Sequence, residues 1–402
     1  MKTVEGGVCA PKGFKAGAAG AGIKPGTTRL DCGLITSETP AGAAGVFTRN
    51  IVKAAPVNWC QACCSRGQVQ AIFVNSGNAN ACTGPEGEED VRTTAETAAK
   101  TLGVAPELVA VCSTGLIGAR LPMDRIQDGI AQAAANRSES GSRSCAEAMM
   151  TTDTVPKEAA LEVSLEEGAT VRIGGIAKGA GMLAPNMATM LAFVTTDAAI
   201  PREALQAFLA EAVEKSFNSM SVDNDTSTND TVLILANGAA GGASIESGTA
   251  DGERFREALG AVCRDLALQL VRDGEGATKL VTIHVRGAPS DGEARQVARA
   301  IGCSQLCKTA FHGEDPNWGR IACAAGYAGV DFDPGALAIW LNDMLLVQQG
   351  QAANYVDEEA QALMRDESFS VTVDIATVPG QAVFWTTDLS HDYIRINADY
   401  RS

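Results

Sequence analysis

No apolar run in the chain approaches the roughly 18 residues that a membrane-spanning helix needs. The opening stretch, Met1-Lys-Thr-Val-Glu-Gly-Gly7, lacks the apolar core of a signal peptide and the Arg-rich amphipathicity of a transit peptide. A soluble, cytoplasmic protein is therefore expected. No Gly-x-Gly-x-x-Gly follows a strand pattern and no Walker P-loop occurs, so dinucleotide and nucleotide binding lose their main support. Basic residues are also short: 32 Lys and Arg stand against 48 Asp and Glu, for a formal charge of −16. That balance argues against nucleic acid or an anionic membrane surface as a partner. The three histidines, His284, His312 and His391, all lie far in sequence from Cys60-x-x-Cys63-Cys64. This is the one metal-like spacing, and it has no second paired cluster. A zinc site takes about four ligands, so no metal is expected.

What is present fits an ordinary globular protein. With 402 residues, 46% of them hydrophobic and 20% charged, the chain has room for two or three domains or one large layered body. The twelve cysteines sit mostly among small or apolar neighbours, and Cys112, Cys263 and Cys323 read as core thiols. Residues 6–25 read as a loop followed by a tightly packed small-residue segment. Strands are expected at 68–74, 109–112, 159–165, 169–176, 231–236, 280–286, 336–348, 368–376 and 381–386. Helices are expected at 91–102, 123–135, 143–150, 201–216, 254–272 and 292–301, the fourth from Leu205, Phe208, Leu209 and Val213 at helical spacing. Strands and helices mix without strict alternation, which points to an α+β architecture of layered sheets flanked by helices. Apolar side chains recur in 390–402, so the C-terminus is expected to be tied into the fold.

The chemistry-bearing stretch runs from Lys178 to Leu191. There Thr189 follows Ala188 and opens the apolar run Met190-Leu-Ala-Phe-Val194. If the Ala188–Thr189 bond were cut, Thr189 would carry a hydroxyl and an α-amine of ordinary pKa about 7.7–8.0, which can act as base for that hydroxyl. The same residue also reads as a plain strand threonine. Other candidates keep two readings in the same way. Ser113-Thr-Gly115, at a strand end, offers backbone N–H groups to a developing oxyanion or forms a simple turn. Glu275, between two glycines, could grip an ammonium group or be solvated. The polar tract Ser221–Asp230 lacks the glycine and distal glutamate of a calcium loop and reads as a self-bonded loop. Lys308–Arg320 packs charged, aromatic and turn residues more densely than an ordinary loop.

Taken in order, these segments resemble the ornithine acetyltransferase family, also called glutamate N-acetyltransferases. The motifs are Ala10-Pro-Lys-Gly-Phe14, Asn75-Ser-Gly-Asn-Ala-Asn-Ala-Cys-Thr-Gly84, Met150-Thr-Thr-Asp-Thr154, Lys178–Leu191, Asp225-Thr-Ser-Thr-Asn-Asp230, Gly313-Glu-Asp-Pro-Asn-Trp-Gly-Arg320 and Arg395-Ile-Asn-Ala-Asp-Tyr400. The resemblance runs from Gly6 to Ser402.

It implies a self-processing fold of N-terminal-nucleophile type, cut between Ala188 and Thr189 into an α chain (1–188) and a β chain (189–402). It further implies that Thr189 takes the acetyl group from N2-acetyl-L-ornithine and passes it to L-glutamate. Thr114 and Gly115 match the family's oxyanion-hole positions. Its substrate-binding positions fall on Thr152, Lys178, Thr189, Glu275, Asn397 and Ser402. On that basis Lys178 would meet the α-carboxylate common to both substrates, and Glu275 the ornithine ammonium. Ser402 stands where relatives often carry threonine. No cofactor is implied, acetyl-CoA remains open as a second donor, and relatives assemble as heterotetramers of two α and two β chains. An amidase or aminopeptidase using the same Thr189 with water is the competing enzyme reading. A metal- or partner-binding protein built on Cys60, Cys63 and Cys64 is the non-enzymatic one.

Overall fold

The computed structural model describes residues 1–24, 26–184, 190–375 and 379–399. Among these residues the fold is α+β, with a nine-stranded and a seven-stranded sheet. The larger sheet runs in the order Lys2–Thr3, Lys157–Ser164, Thr170–Lys178, Leu191–Thr196, Thr231–Ala236, Cys32–Phe47, Gln68–Asn75, Val109–Ser113. Phe14–Ala19 pairs with Cys32–Phe47 beside this path. Leu191–Thr196 and Thr231–Ala236 are parallel, and every residue of both is buried. Burial on both faces explains why they read as continuous rather than alternating runs.

The covering helices follow from amphipathic spacing. Ala250–Arg272 buries Phe255, Ala258, Leu259, Val262, Leu266 and Leu270 against the sheet. Its start is fixed by Thr249, whose hydroxyl accepts the Gly252 N–H at 3.0 Å, with Asp251 and Glu253 complementing the dipole. Truncating a buried leucine such as Leu266 to alanine would cost about 2–5 kcal/mol. Arg202–Glu214 shares this core, whereas Ala55–Arg66 and Ser142–Met149 contribute to a second one.

The smaller sheet runs Gln351–Ala352, Met344–Gln348, Ala338–Leu341, Ser368–Asp374, Leu280–Ala288, Gly380–Thr387, Met220–Ser221. Its own core is completed by Asp291–Gly302, Gln305–His312 and Trp318–Gly326. No helix among the described residues is long and apolar enough to cross a membrane.

Four expectations change. The stretch 336–348, expected as one strand, is a hairpin of Ala338–Leu341 and Met344–Gln348 paired antiparallel. The 6–25 segment holds a strand, Phe14–Ala19, which pairs with the 16-residue strand Cys32–Phe47. Neither has strong β composition, and partners on both sides hold the longer one. Cys323 is exposed rather than in the core. Its helix buries Ile321, Ala324 and Ala325, and a residue two positions after Ile321 falls on the opposite face. The C-terminal helix His391–Asp399 buries none of its residues, and Ile394 is 64% exposed. The chain there is tied down by polar contacts instead of apolar ones.

Candidate active site

The sheet brings its loops to one end. Asn75 pairs with Ser113, closing two neighbouring strands, and Lys178 closes its own strand opposite Leu191. The segments beyond them meet the 221–230 loop, the 273–279 loop and helix His391–Asp399 around a cleft of about 240 Å³. Thr114, Gly115, Thr152, Lys178, Glu275 and Asn397 all line it. Residues 283 positions apart in the chain are thus gathered at one cavity.

The Ser113-Thr114-Gly115 turn is shaped from below by asparagines. Asn75 Oδ1 accepts the Ser113 hydroxyl at 2.7 Å, while Asn229 Nδ2 donates to Ser113 O at 2.8 Å and to Ala79 O at 2.6 Å. Gly115 has φ +132°, and a Cβ there would fall 2.4 Å from the Gly77 carbonyl carbon. Only glycine fits that approach. The expectation that this strand end leaves its amides unpaired needs correction, because Thr114 N–H donates to Asn75 O at 3.0 Å. The turn therefore offers the cleft the Thr114 hydroxyl and the Gly115 backbone.

Lys178 is 2% exposed and points its ammonium at two hydroxyls, Thr151 Oγ1 at 2.8 Å and Thr114 Oγ1 at 3.4 Å. Burial lowers its pKa, partly opposed by Asp153, whose Oδ2 is 3.9 Å away. Asp153 also accepts Lys157 Nζ at 2.6 Å and Gly179 N–H at 2.7 Å. Burial alone would raise this carboxyl, but Lys178 and Lys157 together hold it down at about 2. Lys157, fully buried, donates as well to Asp273 Oδ2 at 2.5 Å. The result is a largely buried network of two lysines and two aspartates, in which every charge has a partner.

Asp273 begins the loop that carries Glu275. The Glu275 N–H donates to Ala180 O at 2.8 Å, and its Oε2 accepts Asn397 Nδ2 at 2.7 Å. A Cβ on Gly181 would come within 2.4 Å of Glu275 Oε2, so that glycine makes room for the carboxylate. Beside it, Asp223 accepts the Met182 and Leu183 N–H groups at 2.6 and 2.9 Å and the Tyr393 hydroxyl at 3.2 Å. Burial raises both Asp223 and Tyr393. The cleft thus has a cationic wall at Lys178 and an anionic one at Glu275, with hydroxyls and amides between. It is shaped for a small zwitterion.

Ala188, Thr189 and Ser402 lie outside the described residues, as does the proposed scission point. The first residue described after it, Met190, donates its N–H to Asp230 Oδ1 at 3.2 Å. Asp230 is fully buried, and no described residue donates to its other oxygen. Burial pushes this carboxyl well above its usual range. Asp153, Lys157, Asp223, Asn229, Asp230 and Tyr393 were not singled out from the sequence. Three of them lie in the polar tract Ser221–Asp230, which reads locally as a loop rather than as a wall of the cleft.

A family model described as the ArgJ family matches residues 15–402. The chain belongs to the ArgJ family. Over 403 residues, and the whole of both chains, it is 49% identical to the arginine biosynthesis bifunctional protein ArgJ of Symbiobacterium thermophilum. The ArgJ protein of Synechocystis sp. is 47% identical over 409 residues, covering 99% of this chain and 98% of its own. In solved structures it is similar to the arginine biosynthesis bifunctional protein argJ of Bacillus halodurans, at 41% identity and a TM-score of 0.51. That match covers 52% of this chain and 98% of the solved one. Every described residue named in the cleft lies inside the ArgJ match.

The cysteine cluster stands apart from this ArgJ cleft. Cys60, Cys63 and Cys64 are buried on one helix, with Cys60 Sγ donating to Val111 O at 3.1 Å and 3.7 Å from Cys112 Sγ. The Cys112 contact and burial raise Cys60, and burial pushes Cys63 up to about 12. Buried and protonated, these thiols pack as small apolar groups.

Proposed function

We propose that the chain is a glutamate N-acetyltransferase of arginine biosynthesis that works through Thr189. The observation that carries the reading is one cleft with a buried cation, Lys178, and a pre-held carboxylate, Glu275, in a chain matching ArgJ proteins over its full length. Those relatives do not favour the amidase alternative.

The precursor is first cut between Ala188 and Thr189. The Thr189 hydroxyl attacks the Ala188 carbonyl, nitrogen leaves to become the Thr189 α-amine, and water hydrolyses the resulting ester. This gives an α chain (1–188) and a β chain (189–402). The Bacillus halodurans structure supports that division: nearly all of its chain is matched by about half of this one. In the mature site the α-amine takes the hydroxyl proton. The oxygen then attacks the acetyl carbonyl of N2-acetyl-L-ornithine, with the Thr114 hydroxyl and Gly115 N–H stabilising the oxyanion. Collapse releases ornithine, which carries away the proton, and leaves O-acetyl-Thr189. The glutamate amine attacks this ester, and N-acetylglutamate departs as the hydroxyl is restored.

Lys178 receives the α-carboxylate common to both substrates, and Glu275, steadied by Asn397, receives the ornithine ammonium. Thr152 and Ser402 complete substrate binding. As written, both half-reactions balance without a metal or organic cofactor. The relatives' description as bifunctional supports acetyl-CoA as a second donor to the same threonine. Two α and two β chains in a soluble, cytoplasmic heterotetramer complete the proposal.

Intact mass spectrometry of the wild type beside Thr189→Ala tests the core. Two fragments meeting at 188/189 are expected from the first and one whole chain from the second. An uncut wild type that still moved acetyl groups would end the reading. Rapid release of acetate in the absence of glutamate would transfer it to the amidase class.

A further inference from the structure

The stretch Lys308–Arg320 takes no part in the chemistry above, yet it meets the loop that carries Glu275. Asp388, directly after strand Gly380–Thr387, is 4% exposed and holds four donors. Its Oδ1 accepts the backbone N–H groups of Thr278 and Lys279 at 2.8 and 3.0 Å. Its Oδ2 accepts the Thr278 hydroxyl at 2.7 Å and lies 2.7 Å from His312 Nδ1. A carboxylate already receiving three donors leaves Nδ1 the donor of that fourth contact. A second tie runs parallel to it: Lys279 Nζ donates to Glu314 Oε1 and Arg365 O, both at 3.0 Å. The segment after Asp388 seals the arrangement, since the Ser390 hydroxyl donates to Gly276 O at 2.6 Å.

We infer that His312 is a positioning residue for the ammonium subsite, acting through Asp388 on Thr278 and Lys279 and so on Glu275. The inference rests on the reading that Glu275 holds the ornithine side-chain ammonium. Asp388 is buried and cannot turn to water for its fourth donor without opening the loop it anchors. Without the imidazole, Asp388 Oδ2 keeps only the Thr278 hydroxyl, and the carboxylate that anchors Thr278 and Lys279 is itself less firmly held. The loop then gains freedom at its C-terminal end, three residues from Glu275. A misplaced carboxylate loses ground-state binding of the substrate, so KM rises while kcat is left nearly alone.

The test compares His312→Ala, His312→Asn and Glu275→Gln in the self-cleaved enzyme. Asparagine places an amide donor at the bonded distance of Nδ1, whereas alanine places none. In His312→Ala the KM for N2-acetylornithine should rise about tenfold, the cost of one charge-assisted hydrogen bond, with kcat within about twofold. Amide exchange over 275–279 should quicken in step. His312→Asn should restore both, and His312→Ala should add nothing to the KM of Glu275→Gln.

Unchanged exchange and KM in His312→Ala would overturn the inference. So would a KM increase that adds in full to that of Glu275→Gln, which places the effect of His312 elsewhere while the Glu275 reading stands. If Glu275→Gln leaves the KM untouched, the Glu275 reading itself fails and the inference falls with it. Should His312→Ala not fold, His312→Gln, with its donor one bond further out, replaces it against His312→Asn. Equal KM values in that pair would count against the inference.

Discussion

The Glu275 carboxylate is already oriented by Asn397, whose Nδ2 lies 2.7 Å from Oε2. An arriving ammonium meets an acceptor held in place and need not spend binding energy ordering it. Glu275→Ala should therefore weaken acetylornithine use by about 10- to 100-fold in kcat/KM, the range of a lost hydrogen bond to a charged group. Self-cleavage should proceed as before. Steady-state kinetics beside a gel of the processed chains measures both, and an equal loss of the two would refute the assigned role. Asn397→Ala should follow in the same direction and less steeply.

Gly115 has no space for a side chain. With φ +132° and backbone atoms of Gly77 and Asn78 within 2.5 Å of the Cβ position, Gly115→Ala must shift the turn that carries Thr114. A strained backbone conformation of this kind costs about 1–3 kcal/mol. Both the thermal midpoint and turnover should drop, turnover by at least about tenfold if the turn supplies the proposed oxyanion donor. A variant with normal turnover would show that this turn does not contact the reacting oxygen.

Asp153 gives stability a definite pH dependence. Its carboxyl is held at about 2, below the usual value of 3.8. Its contribution is thus complete above about pH 4 and lost as pH falls towards 2, on the order of 2 kcal/mol. Asp230 has the opposite sign, because its raised pKa favours the folded state at low pH and is lost as pH climbs. Denaturant midpoints of wild type and Asp153→Asn between pH 6 and 2 separate them. The variant should be less stable at neutrality and flatter below pH 4. A parallel pair of curves would contradict the assignment.

Lys157 carries the largest predicted stability loss. Lys157→Met leaves Asp153 and Asp273 buried without their shared cation, a change of about 3–5 kcal/mol. Thermal denaturation measures it, and a loss below about 1 kcal/mol would show that water enters the network.

The cysteine cluster should be dispensable for chemistry. Treatment with a chelator should leave acetyl transfer and the thermal midpoint unchanged, because among the described residues no group of three or more His, Cys, Asp or Glu is placed to hold a metal ion. Co-purifying zinc whose removal abolished activity would contradict this.

Much of the framework was legible from periodicity. Helix Met123–Ala135 and strand Thr231–Ala236 have the expected bounds, since both have strong local patterns. Cys32–Phe47 was not legible, because alanine, glycine and threonine become a strand there only through distant partners. The cleft residues were named through a family resemblance, and no local pattern joined Thr114 to Asn397. The links that support them were hidden for a related reason: Lys157 meets Asp273 across 116 positions, and Thr278 meets Asp388 across 110. Sequence spacing carries no trace of contacts between segments that only the folded sheets bring together.

The strand order of the larger sheet bears on what scission can and cannot do. Leu191–Thr196 and Thr231–Ala236 stand between Thr170–Lys178 and Cys32–Phe47, six paired positions on either flank. A cut at 188/189 would hand the two inner strands to one polypeptide and both flanking strands to the other. The products would be interleaved, and neither could withdraw without unzipping two ladders. The bond would be severed while the body stayed whole. On this account the uncut precursor is the template on which the halves are assembled, and separately expressed halves should fail to find this arrangement with the ease of the intact chain.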